Sequence, residues 1–226
     1  MRRIRLPQVI EVLAAHYGKS KPPKLAGPWE MILWENVAYL ADDDRREQAF
    51  KALKKQVGTK PEQILSAPRE ALLEATRHGI MADQFAEKLR QCAKIALEEF
   101  DGDLRPIFKW PMPKARKALQ KFPGIGEPGA EKILLFTRSQ PLFALESNGL
   151  RVLVRLGFAE EQKNYAATYR LVQKAVEGEI DQDFAWLIQA HHLLRCHGQE
   201  LCKRTNPACE ECPLAEGCCF HQASGG

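Results

Sequence analysis

Residues 119–136, LQKFPGIGEPGAEKILLF, decide the fold of this chain. Gly124-Ile125-Gly126 stands between Leu119 and Phe122 on one side and Ala130, Ile133 and Leu134 on the other. The pattern is h-x-x-h-x-G-h-G-x3-A-x2-h-h, with h apolar, and it describes two helices joined by a tight turn. The glycines permit the turn and let backbone N–H groups approach a phosphate with no Cβ in the way. The second helix offers its positive N-terminus to the same anion, and Ala130 lets the two helices pack closely. An ordinary helix–turn–helix corner would explain a lone G-x-G equally well. The full pattern favours a grip on the DNA backbone through Gly124, Ile125 and Gly126, independent of base sequence and sensitive to salt.

On both sides of the hairpin the pattern is helix after helix. Apolar residues recur at spacings of three and four over 7–17, 28–40, 43–56, 61–66, 68–77, 82–99 and 113–121. After the hairpin the same spacing covers 127–137, 147–156, 162–176 and 181–196. Pro28 falls in a first turn, where a missing N–H costs nothing. Thr59 to Glu62, TKPE, has the form of a capping box. Alternation of β-branched residues is nearly absent, so no sheet is expected.

The chain has 226 residues, a net charge of +4, 45 % hydrophobic and 27 % charged residues, the profile of a soluble globular protein. The charge is compatible with a polyanionic partner without requiring one. No apolar run is long enough to span a bilayer. The basic start, MRRIRLPQVIEVLAAHYG, carries Gln8, Glu11 and His16 within its apolar stretch and lacks a small-residue cleavage site. It reads as an amphipathic helix of the mature protein, not a targeting segment.

Four of the seven cysteines, Cys202, Cys209, Cys212 and Cys218, have the spacing C-x6-C-x2-C-x5-C. So compact a set of thiolates suits one inorganic centre in a reducing compartment better than two disulfides. Iron–sulfur clusters are commonly held by four thiolates. Zinc sites more often show two short pairs, and only Cys209 and Cys212 form one here. Cys219 directly follows Cys218, which leaves the fourth ligand ambiguous by one residue. Cys196 is a spare thiol and Cys92 a buried structural one. Lys203 and Arg204 face either a phosphate or solvent.

With these features the chain resembles the helix-hairpin-helix DNA glycosylase superfamily, and within it the endonuclease III-like branch that carries a [4Fe-4S] cluster. The resemblance rests on GPWEMIL, FPGIGEPGA, PLFALESNGLRVLVRLG and HHLLRCHGQELC leading into the cysteine loop. It implies an all-α fold of two helical domains flanking a DNA-binding cleft. One domain would span 27–138 and end in the hairpin; the other would join 1–26 to 139–226, with the iron–sulfur loop at 202–219. It implies a base-excision repair glycosylase that acts as a monomer on double-stranded DNA containing a lesion, mismatch or abasic site. The location implied is the cytoplasm, on the nucleoid in a bacterium, with no membrane association. The base would be cut from its sugar after flipping out of the duplex.

Two departures from the family pattern bear on mechanism. Members with lyase activity have a lysine two residues beyond the second hairpin glycine, where this chain has Pro128; a proline has no amine to attack C1′. Lys132, one turn further, starts roughly 6 Å along the helix axis. The family's aspartate position holds Glu146, a carboxylate on a longer arm. In the frame of GPWEMIL, Glu35 aligns with a glutamate resembling the general acid of the mismatch-directed branches. Its neighbours Met31, Ile32, Trp34, Val37 and Ala38 lead to the expectation of an apolar setting that keeps it protonated. Its plain alternative is an exposed turn of an amphipathic helix.

Tyr39 and Leu40 fall where relatives wedge side chains into the base stack, although Leu40 suits a core equally. Asn148 is expected to cap the following helix, with lining of the pocket as its alternative, and Arg151 to reach a phosphate or a neighbouring carboxylate. His191 and His192 are expected to pack and to bond the backbone. The expected activity is monofunctional, with Glu35 and Glu146 catalytic. Two alternatives stand beside it: a damage- or structure-binding protein without base excision, and an abasic-site lyase using a displaced lysine.

Overall fold

The computed structural model describes residues 3–18, 25, 27–38 and 41–223. All regular structure among them is helical, and the chain divides into two compact units, 24–140 and 1–23 with 141–226. No helix among the described residues is long and apolar enough to cross a membrane.

The N-terminal helix of the chain, α1 (Leu6–Tyr17), belongs to the second of these units and is taken up with it below. In the unit 24–140, α2 (Pro28–Val37) is the central helix. It buries Met31, Ile32, Leu33, Trp34 and Val37, and with them Glu30 and Asn36. A helix apolar on nearly every side has to be surrounded. Its neighbours include α3 (Asp43–Gln56), whose N-cap Asp42 accepts from the Arg45 N–H at 2.8 Å. Asp43 and Asp44 open α3 and Lys54 and Lys55 close it, each sign matching the helix dipole.

Two short helices, α4 (Pro61–Ser66) and α5 (Arg69–Thr76), lie against α6 (Ala82–Phe100). The cap of α4 differs from the box expected at Thr59: the Gln63 side chain accepts from the Lys60 N–H at 3.0 Å. The Thr59 carbonyl instead takes the Trp29 indole N–H at 2.5 Å. Helix α6 buries Phe85, Ala86, Leu89, Cys92, Ala93 and Ala96, a stripe at helical spacing. It stops where Asp101 and Gly102 both turn left-handed. The hairpin helices α7 (Met112–Leu119) and α8 (Glu127–Phe136) complete the unit.

The other unit combines α1 with α9 (Ser147–Arg155), α10 (Tyr165–Val176), α11 (Phe184–Glu200) and α12 (Cys219–Ala223). Helix α1 buries Leu6, Val9, Ile10 and Leu13 on one side and packs on α11, as an amphipathic helix should. Helices α9 and α11 run in close contact through two glycines. A Cβ on Gly198 would lie 2.7 Å from the Asn148 carbonyl oxygen, and one on Gly149 would lie 3.2 Å from the Leu194 Cβ.

Candidate functional site

The hairpin turn is built from buried anchors and one strained glycine. Phe122 and Ile125 are buried, and the Ile125 N–H bonds the Phe122 carbonyl at 3.0 Å. Gly124 has φ +80, and a Cβ there would sit 2.5 Å from the Asn36 Oδ1. Gly126 has φ −83, so its backbone needs no glycine; a Cβ there would meet only the Pro128 ring, at 3.8 Å. The first glycine is therefore required by the fold, whereas the second keeps a surface open. At that surface the first turn of α8 presents N–H groups with no intrahelical acceptor.

Asn36 supports the turn from below. Fully buried, it donates to the Ile32 carbonyl at 3.0 Å and approaches the Cys92 Sγ at 3.8 Å; that thiol in turn faces the Pro123 carbonyl at 3.8 Å. Burial pushes the Cys92 thiol up to about 12, so it remains neutral. Cys92 is the buried structural cysteine its amphipathic helix implied.

Glu35 is half-buried, and its setting is ionic where the sequence suggested an apolar one. Lys132 on α8 brings its Nζ to 2.5 Å from the Glu35 Oε1, and the Arg46 Nη1 on α3 lies at 4.0 Å. Neighbouring cations favour the charged carboxylate, opposite in sign to apolar burial. Trp34 turns into the core, edge-on to Phe50 at 5.5 Å. Pro128 occupies the first turn of α8 and Lys132 the next. Sequence reasoning missed Arg46, because no local pattern ties α3 to this carboxylate. Tyr39 and Leu40 lie outside the described residues.

In the other unit Glu146 is the N-cap of α9. One oxygen accepts from the Gly149 N–H at 2.7 Å, the other from the Asn148 Nδ2 at 2.8 Å. The cap is thus Glu146, not Asn148, whose Oδ1 accepts from the Arg151 Nη2 at 2.8 Å. Arg151 also donates to the Gly198 carbonyl at 2.6 Å and the Cys202 carbonyl at 2.9 Å. These bonds run from Glu146 through Asn148 and Arg151 to the backbone of the first loop cysteine, and they commit the Arg151 donors within the unit. His191 bonds the Ala144 carbonyl at 2.8 Å, the backbone role expected of it. Tyr165, unremarkable in sequence, is pushed up to about 12 by burial and then by the Glu146 charge.

Cys202, Cys209, Cys212 and Cys218 line one pocket together with Val152, Leu201 and Leu214. All are free thiols. Among the described residues no three His, Cys, Asp or Glu side chains converge as on a single metal ion; these four instead surround a shared space. Cys219 lies outside that lining, its Sγ 3.7 Å from the Leu156 carbonyl.

The pocket has charged and polar support. Arg155 reaches the Cys202 Sγ at 3.3 Å and the carbonyls of Lys203 and Arg204 at 2.7 and 3.1 Å. Burial holds the His197 ring down at about 4, so it is neutral. Its Nδ1 is hydrogen-bonded to the Tyr17 hydroxyl at 3.1 Å, and its Nε2 lies 3.5 Å from the Cys212 Sγ. Four thiols around one space, with Arg155 donating to one sulfur and the His197 ring against another, fit an iron–sulfur cluster.

Comparison with known proteins agrees with this geometry. Residues 41–178 match the HhH-GPD superfamily base excision DNA repair protein model, and residues 202–218 match the iron-sulfur binding domain of endonuclease III. Endonuclease III of Thermotoga maritima is 26 % identical over 219 residues, covering 96 % of this chain and 95 % of that protein. Endonuclease III of Rickettsia conorii is 29 % identical over 163 residues, 71 % of this chain and 70 % of its own. Among solved structures, a trapped endonuclease III–DNA covalent intermediate superposes with a TM-score of 0.77 at 20 % identity, covering 99 % of this chain and all of that one. The chain belongs to the HhH-GPD superfamily of base excision DNA repair proteins, in its endonuclease III-like, [4Fe-4S]-carrying branch.

Proposed function

We propose that this DNA glycosylase is monofunctional: it hydrolyses the N-glycosidic bond of a flipped-out damaged or mismatched base and does not cleave the strand. The observation that carries this reading is the pairing of Pro128 with a committed Lys132. The usual position has no amine, and the nearest replacement is an ammonium 2.5 Å from Glu35. A protonated lysine in an ion pair is a poor nucleophile toward C1′.

The hairpin amides at Gly124, Ile125 and Gly126 hold a backbone phosphate of double-stranded DNA, and the protein works as a monomer. Glu35 acts as general acid toward the departing base after taking up a proton from solvent on substrate binding, while Lys132 keeps its own proton throughout. Glu146 stabilises the positive charge developing on the sugar or orients the attacking water, the division of labour two carboxylates serve in glycoside hydrolysis. Cys202, Cys209, Cys212 and Cys218 are the cluster ligands, and the bound cluster gives the 202–218 loop a rigid centre. Arg155 and His197 orient its thiolates.

The test is an excision assay over a panel of lesion and mismatch duplexes, with borohydride present in a parallel series. Base release without trapped protein supports the reading; a trapped adduct that disappears in Lys132→Met overturns it. A second reading is binding without excision, favoured by the full use of Glu146 as a helix cap. Tight lesion binding with no base released from any duplex, and indifferent to Glu35→Gln and Glu146→Gln, would establish it.

A further inference from the structure

The surface that the hairpin offers a phosphate carries a carboxylate. Glu127 directly follows Gly126 and opens the first turn of α8. A negative charge there suits the helix dipole. It also competes with a phosphate for the same N–H groups and repels it. Arg116, on the other hairpin helix, answers that charge. Its Nη1 lies 2.7 Å from the Glu127 Oε1 and 3.0 Å from the Glu131 Oε1. Glu131, one turn beyond Glu127, is the deepest of the three, with its side chain 9 % exposed against 29 % for Arg116 and 27 % for Glu127. A guanidinium anchored on a buried carboxylate does not swing freely into solvent.

We infer that Arg116 is a positioning residue for DNA binding: it draws Glu127 back against α7 and cancels its charge, leaving the amides of the hairpin open to phosphate. The inference rests on the proposed role of the hairpin as the phosphate-binding element. Its chemistry is specific to this arrangement. Two helices need only one bridge to be held together, and Glu131 already supplies it. The second bridge engages Glu127, the carboxylate that directly follows the turn. Because Glu127 and Arg116 are both partly exposed, the pair is weak as a stabiliser of the fold, whereas a freed charge beside a bound phosphate acts directly on affinity.

The test is the dissociation constant for a duplex carrying an abasic-site analogue, measured by fluorescence anisotropy at low and moderate salt. Arg116→Gln is expected to weaken binding by about 5-fold or more at low salt, with the gap narrowing as salt rises. Glu127→Gln should leave binding as tight as wild type or tighter, and the double variant should recover wild-type affinity. Arg116→Lys, which keeps the charge, should lie near wild type. A purely bracing role predicts the same sign for both single variants, so weakened binding by Glu127→Gln overturns the inference. A double variant as weak as Arg116→Gln also overturns it, since Arg116 would then contact DNA itself. Thermal melts of each variant separate loss of fold from loss of affinity. Gly126→Val tests the underlying reading: its Cβ meets no obstacle but would intrude on the phosphate. Unchanged affinity in Gly126→Val removes the hairpin's role altogether, whereas weakened binding there with no effect at Arg116 and Glu127 removes only the shield.

Discussion

At the scale of single residues, the N-cap role of Glu146 separates from the excision role proposed for it. As N-cap it holds the Gly149 N–H, which an amide oxygen also does; the proposed role in excision requires the charge, which an amide lacks. Glu146→Gln should therefore keep the cap and lose only the bond from the Asn148 Nδ2, a smaller stability loss than full truncation, while excision falls by about 100-fold or more. Glu146→Ala should lose excision and also about 1 kcal/mol of stability with the cap. Urea denaturation beside single-turnover excision separates the two. Equal stability losses in both variants would mean that the charge itself, not the acceptor, holds α9.

Cys92 gives a pH signature. Its thiol is raised from the ordinary 9.0 to about 12 by burial, so above about pH 9 the unfolded chain releases a proton that the folded chain keeps. The unfolded state is then favoured as pH rises. The wild type should lose stability faster than Cys92→Ala between about pH 8 and 10.5, a difference in slope read from urea midpoints. Parallel slopes would mean that water reaches the thiol.

At the scale of elements, the α9–α11 contact and the cysteine loop decide whether the Glu146 side of the protein is built. Gly198→Ala places a Cβ against the Asn148 backbone, which a rotamer change cannot relieve, and should cost about 1–3 kcal/mol. Gly178→Ala, where a Cβ would meet nothing within 4 Å, is the control and should stay within about 0.5 kcal/mol. Arg155→Gln removes the charged tie to the Cys202 Sγ and to the loop carbonyls. Iron retained after dialysis against a chelator should fall well below wild type, with α-helical content unchanged. Iron retention at wild-type level would assign the loop's order to the cluster alone.

Helices were the most legible part of the sequence. The expected 43–56 and 61–66 coincide with Asp43–Gln56 and Pro61–Ser66, because capping aspartates and prolines punctuate them locally. The cap of α9 was less legible, since Asn148 is the commoner capping type and only the backbone geometry selects Glu146.

At the scale of the whole molecule, family and cofactor were legible because they reside in spacing: the glycine hairpin and the four cysteines each fit within a short stretch of chain. Electrostatic settings were not. The sequence placed Glu35 among apolar neighbours, since those are its neighbours along one helix. Lys132 and Arg46 come from α8 and α3, and no periodicity reports side chains brought together by tertiary packing. The Arg155 and His197 contacts with the loop sulfurs were hidden for the same reason. Pro128 was legible at once, as a missing amine, and the Lys132–Glu35 pair gives that absence its consequence: a lysine is present nearby but engaged.

The central claim is hydrolysis of the glycosidic bond without a covalent protein–DNA intermediate. Its most direct measurement is single-turnover base release from the responsive lesion duplex, with borohydride added during the reaction and the protein analysed for crosslinked DNA. The account predicts base release, an intact strand until alkali is added, and no crosslink. A borohydride-dependent crosslink forming at the rate of base release would contradict it.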